Sequence, residues 1–135
     1  MWTDNTAPKA PPILDTAYLE RLQKHLGEDV TRELMADGML ELSDRLDRIQ
    51  KLVEKGRIAE LQKLTHDIAG SAGHLGLSAL SYHASVANAE LRGSIGAKTQ
   101  AIMKPMLNCR GQSLDSLALF CNIGPVEAEK KSATG

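Results

Sequence analysis

"THDIAGSAGHLGL", Thr65 to Leu77, is the stretch on which the fold turns. Gly70, Gly73 and Gly76 stand here with Ala69 and Ala72, and each interior glycine costs a helix roughly 0.8–1 kcal/mol relative to alanine. The apolar residues nevertheless keep helical spacing. At about 100° per residue, Leu61, Leu64, Ile68, Ala72 and Leu75 fall within a stripe of roughly 80°, which predicts a helix from Ile58 to Leu75 with one core face. His66 lies about 160° from the centre of that stripe and is expected to project away from the core.

Ala59, Gln62, Lys63, Ala69, Gly70 and Gly73 surround His66 on the outer face. Exposed helix faces are normally filled with long charged side chains, which favour helix and solubility. Small residues here leave the imidazole on a shelf of bare backbone, at a cost of about 2 kcal/mol for Gly70 and Gly73 together. A bulky residue at position 70, one turn beyond His66, would stand between the ring and an approaching surface. The shelf therefore points to a side chain that another protein must reach. Small residues also serve close helix packing, and for Gly73 and Gly76 that alternative stays open. His25 and His83 read as ordinary surface residues, and His74, near the helix end, as a basic group favoured by the dipole.

Working outward, Asp15 can cap a short helix, "DTAYLERLQKHLG", with Leu19, Leu22 and Leu26 on one face and Gly27 as its stop. Asp29 can cap a long helix to Lys55, with Val30, Leu34, Leu42, Leu46, Ile49 and Val53 as its apolar positions and Gly56 beyond its end. After Gly76, Ser78 is a candidate cap for a helix to Arg92, stopped by Gly93. A last helix is expected from Ala97 to Phe120, with Ile102, Met106, Leu114 and Leu117 apolar, and Pro105 kinking it or starting a new segment. No alternating strand pattern is present. Short links between amphipathic helices imply antiparallel neighbours, hence an all-α fold: an up-and-down four-helix bundle with a short extra N-terminal helix. Residues 1–12, with Pro8, Pro11 and Pro12, read as a disordered arm, 13–121 as the bundle, and 122–135 as a flexible tail.

The 135 residues suit one domain. Lysine and arginine (16) nearly balance aspartate and glutamate (17), which removes the general electrostatic grip that nucleic acid or anionic lipid requires. One Trp, two Tyr and one Phe leave little for base stacking. With no membrane-length apolar run and no signal-peptide pattern at the N-terminus, a soluble cytoplasmic protein is expected. Cys109 and Cys121 form no CxxC and read as reduced, partly buried thiols.

"HDIAGSAGHLGLSAL" strongly resembles the signature of histidine-containing phosphotransfer (HPt) domains. In that family the phosphoryl-accepting His is followed by an apolar residue at plus two, Gly at plus four, small residues at plus five and six, and Gly at plus ten. His66, Ile68, Gly70, Ser71, Ala72 and Gly76 fill these places. "LGEDVTRELMADGMLELSDRLDRIQKLVEKGRIAELQKLTH" resembles the long helix and the approach to the His, so the likeness spans residues 13 to 121.

The resemblance implies a phosphorelay intermediate. His66 would accept a phosphoryl group from an aspartyl phosphate on the receiver domain of a hybrid histidine kinase and pass it to the aspartate of a response regulator's receiver. It implies a carrier and not an enzyme with independent turnover. Free imidazole titrates near ~6.5, so a neutral, nucleophilic ring is available at cytoplasmic pH. Phosphoryl transfer needs in-line positioning and charge neutralisation, commonly by a divalent metal. No carboxylate cluster flanks His66, so Mg²⁺ is expected to arrive with the receiver, and no cofactor or metal site is assigned to the chain. A monomer is expected, since the bundle closes on its own helices.

One position departs from the pattern. Many members carry Lys or Arg three residues after the His, where this chain has Ala69. Lys63 is the expected substitute, and Arg57 the second choice. Gln62, Lys63 and Thr65 are candidates to orient the ring or meet the phosphoryl group. Ala69, Gly70, Gly73 and Leu77 are candidate binding positions, with Met39 a further apolar candidate.

Three rivals are weighed against this. A histidine kinase dimerisation helix would resemble "HE[IL]RTP" where this chain has "HDIAGS", and an ATP site is missing. A helical adaptor would use the same shelf without accepting phosphate. A helix-borne metal site fails on spacing, since Gln62 and Gly70 occupy the i±4 positions.

Overall fold

The computed structural model describes residues 10–93 and 98–124. Among them the chain forms six α-helices and no strand: α1 (Thr16–Leu26), α2 (Glu28–Glu54), α3 (Ile58–His74), α4 (Ser78–Arg92), α5 (Thr99–Asn108) and α6 (Arg110–Phe120). The start expected at Ala97, most of the arm 1–12 and most of the tail 122–135 lie outside the described residues. No described helix is long and apolar enough to cross a membrane.

The helix ends follow local chemistry. Asp15 caps α1 by accepting the N–H of Tyr18 at 3.1 Å. Gly27, at φ +86°, ends α1 and is also the N-cap of α2, so Asp29 is not the cap expected of it. It sits in the first turn, 3.0 Å from Arg32, where a carboxylate suits the helix dipole. Leu77, not Ser78, precedes the first residue of α4, and its side chain makes no capping hydrogen bond.

α2, α3 and α4 pack in sequence, and α5 with α6 completes the bundle as its fourth, broken member. Arg110 of α6 donates to Ser43 Oγ at 2.9 Å and to Asp47 Oδ1 at 2.7 Å, and Arg32 Nε reaches the Cys121 carbonyl at 3.3 Å. These bonds tie the last helix back to α2. The core holds Leu42, Leu46 and Ile49 of α2, Leu61, Leu64, Ile68 and Ala72 of α3, Leu80 and Leu91 of α4, Met103 and Met106 of α5, and Leu117 of α6. Each fully buried Leu or Met contributes roughly 1.5–3 kcal/mol relative to exposure, which outweighs the glycine penalty in α3.

Two expectations about the helices are corrected. Val30 and Leu34 are half exposed (52% and 50%), while Thr31, Met35 and Met39 take the buried stripe of α2. Thr31 tolerates burial because its Oγ1 donates to the Gly27 carbonyl at 2.7 Å. The last helix breaks at Cys109 and not at Pro105, which lies inside α5. The helical acceptor of the Cys109 N–H would be the carbonyl of Pro105; that N–H turns to Leu107 instead. Cys109 is half-buried and Cys121 buried, both are free thiols, and burial raises the pKa of each, Arg32 partly offsetting the rise at Cys121.

α1 lies over the turn that follows α3. Asp15 N–H donates to the Gly76 carbonyl at 2.8 Å, Tyr18 Oη to the His74 carbonyl at 2.7 Å, and Leu19 is wholly buried. A Cβ on Gly76 would come within 2.9 Å of Leu19, and its φ of +74° is itself unfavourable for an L side chain. Close packing, the alternative left open for Gly76, is therefore its role.

Candidate functional site

The core stripe of α3 is buried as its spacing predicts: Leu61, Leu64, Ile68, Ala72 and Leu75 are all within 5% exposure. His66 is consequently exposed on the opposite face, and among the described residues nothing hydrogen-bonds its ring. Lys63 and Gly70 are exposed beside it, and Gln62 is half-buried. Among the described residues, a Cβ at Gly70 would meet nothing within 4 Å, and one at Gly73 only Ser81 Oγ at 3.6 Å. Neither glycine is required by packing. Ala69 differs: it is half-buried against the core, and its carbonyl accepts Ser81 Oγ at 2.8 Å, so it belongs to the seam between α3 and α4.

Three candidates are not at the surface. Leu77 is wholly buried because α3 ends in a Schellman motif: Leu77 N–H bonds the Ala72 carbonyl at 2.8 Å and Gly76 N–H that of Gly73 at 3.1 Å. The apolar residue after the left-handed glycine then folds back onto the helix. Met39 is a core residue of α2 at 1% exposure. Thr65 is fully buried and its Oγ1 donates to the Leu61 carbonyl at 2.8 Å, so it does not reach an incoming phosphoryl group. Arg57 is engaged with Glu60 at 2.8 Å at the start of α3.

Residues from the neighbouring helices complete the surroundings. Asn88 of α4 donates through Nδ2 to the Gln62 carbonyl at 2.6 Å and to Thr65 Oγ1 at 3.1 Å, and its Oδ1 accepts Arg92 Nη2 at 2.8 Å. Gln62 is four residues before His66, so Asn88 grips the carbonyl that also closes the helical turn beneath the imidazole. The same network fixes Arg92 on the α4 flank. On the other flank Arg45 of α2 donates to Ser71 Oγ at 2.6 Å. Periodicity along α3 could not reveal Asn88, Arg92 or Arg45, because it carries no information about which helix lies on either side. A groove of about 750 Å³ runs between α2 and α3 on the Arg45 side, lined by Lys63 and Asp67 from α3. Among the described residues no group of three or more His, Cys, Asp or Glu is placed to hold a metal ion.

An exposed imidazole thus stands on a cleared helix face within a helical bundle. A family model described as Hpt domain matches residues 33–102, and the chain belongs to that family. The match covers α3 and α4 whole, most of α2 and the start of α5. No curated protein and no solved structure matches the chain. Membership implies histidine phosphotransfer within phosphorelays, in company with the receiver domains of two-component systems. Hpt domains act as carriers of the phosphoryl group and are not typical enzymes.

Proposed function

We propose that His66 is the phosphoacceptor, loaded by an aspartyl phosphate on the receiver domain of a hybrid histidine kinase and unloaded onto the aspartate of a response regulator's receiver. The observation that carries this reading is the exposure of His66 over Gly70 and Gly73, neither of which the packing of α3 requires. In the loading step a neutral ring nitrogen attacks phosphorus in line. The bond from phosphorus to the aspartyl oxygen breaks, the carboxylate leaves with the receiver, and the second ring nitrogen gives its proton to solvent as needed. The unloading step is the same displacement reversed on a second aspartate.

With Ala69 in the α3–α4 seam, Lys63 supplies positive charge to the phosphoryl group from one turn before His66, and Gln62 helps to set the face that the receiver meets. Gly70 and Gly73 admit the receiver's active face, with Ala69 at the edge of the same surface. Mg²⁺ comes with the receiver, whose carboxylates hold it. The chain works as a cytoplasmic monomer that carries the group between the two receivers.

Incubating the full chain with phosphorylated receiver domains of the source organism tests this. Wild type acquires acid-labile, base-stable label, and His66→Gln acquires none. Equal labelling of the two proteins would show that His66 is not the acceptor.

A further inference from the structure

The groove between α2 and α3 carries charge that the fold does not use. Arg45 is satisfied by Ser71, with Glu41 at 4.0 Å, and Arg57 by Glu60. Arg48, Lys51 and Lys55 of the second half of α2 and its C-cap, together with Lys63 of α3, line the same groove and have no carboxylate within 4.0 Å among the described residues. All four are exposed. Asp44 and Asp67 are the carboxylates in the groove without an ion pair among the described residues.

This strip is cationic in a chain whose formal net charge is −1. Arg48 and Lys51 stand three residues apart on one helix, and Lys51 and Lys55 four apart, spacings at which like charges oppose helix formation. The dipole of α2 favours cations at its C-terminus and so accounts for Lys51 and Lys55. It accounts neither for Arg48, further back in the helix, nor for Lys63, in the N-terminal half of α3. The strip adjoins His66 through Lys63, one turn away.

We propose that Arg48, Lys51 and Lys55 form, with Lys63, an electrostatic landing strip for the acidic rim of the receiver's phosphorylation site. The inference rests on the reading of His66 as acceptor. It follows from where the metal must be held. No described cluster on this chain gathers carboxylates for a divalent ion, so the receiver brings them, along with the phosphoryl group, to the surface that meets His66. A surface rich in carboxylate and phosphoryl oxygen is complementary to the lysines and arginine of a strip that reaches the imidazole through Lys63. Charges at the rim of an encounter act mainly on association rate, and their effect falls as salt screens them.

The test uses the full chain and receiver domains of the source organism phosphorylated with acetyl phosphate and Mg²⁺. Second-order transfer rates are measured at about 20 mM and about 500 mM salt, conditions that bracket strong and weak screening. The wild-type rate is expected to fall about tenfold or more with salt, as steered association does. The variant Arg48→Glu, Lys51→Glu, Lys55→Glu should be about tenfold slower than wild type at low salt and equal to it at high salt, with the saturated transfer rate unchanged. The glutamine triple variant should fall between the two. Circular dichroism checks that each variant is folded. A glutamate variant that transfers as fast as wild type at low salt overturns the strip and leaves the role of His66 intact. Should His66→Gln be labelled like wild type, fluorescence anisotropy of receiver binding still decides the matter: salt-sensitive binding lost in the glutamate variant supports the strip, and unchanged binding overturns it.

Discussion

Gly70 is the residue at which helix stability and access pull in opposite directions. It occupies a helix interior with open space where a side chain would be, so Gly70→Leu or Gly70→Gln should raise stability by about 0.5–1 kcal/mol. The same side chain would stand one turn beyond His66 and obstruct the receiver, lowering transfer at least about tenfold, a barrier difference of about 1.4 kcal/mol. Thermal melting and a phosphotransfer time course on one preparation separate the two effects; full transfer in a folded Gly70→Leu would show that the shelf is not there for access. At this scale the sequence was informative about direction. The wheel placed His66 outward and the stripe inward because both follow from one helix's geometry. It was uninformative about Thr65 and Leu77. Thr65 sits on the flank where α4 happens to pack, and Leu77 lies past the left-handed Gly76, where the chain reverses and the wheel no longer applies.

Between helices, Asn88 joins α4 to the His66 helix. It bonds a carbonyl and a hydroxyl of α3 and holds Arg92 of its own helix, so removing it leaves the buried Thr65 hydroxyl without a donor and frees Arg92. Asn88→Ala should destabilise the protein by about 1–3 kcal/mol, seen as a lower urea midpoint at unchanged slope. Helix existence was legible throughout, as long amphipathic periodicity allows, and so was the stop at Gly27. Caps were less so. Asp29 and Ser78 are good capping residues that stand second in α2 and first in α4, because Gly27 and Leu77 already carry the non-helical backbone at those junctions. Pro105 marked the right region for the last break, but the interruption falls where its carbonyl loses a donor and not at its own ring. Val30 and Leu34 kept helical spacing with Leu42 yet lie on the strip beside the core, the methionines having taken the centre.

For the whole molecule, the segment that the family model matches is smaller than the unit that folds. Residues 33–102 exclude α1, the rest of α5 and all of α6, and with them the wholly buried Leu19, Met103, Met106 and Leu117. A fragment of residues 33–102 should therefore bind a hydrophobic dye and unfold over a broad range, whereas the full chain should melt in one cooperative step. A sharp calorimetric transition for the fragment would show that the outer helices only decorate the bundle. α1 also has a place in time. The hydrogen bond from Tyr18 to the His74 carbonyl joins residues 56 apart in sequence, whereas α2, α3 and α4 meet through short hairpin links. Long-range closure is slow because its chain entropy is lost before any contact repays it. α1 is thus among the last of the described helices to find its seat, and the turn beyond the His66 helix stays unlatched until it does.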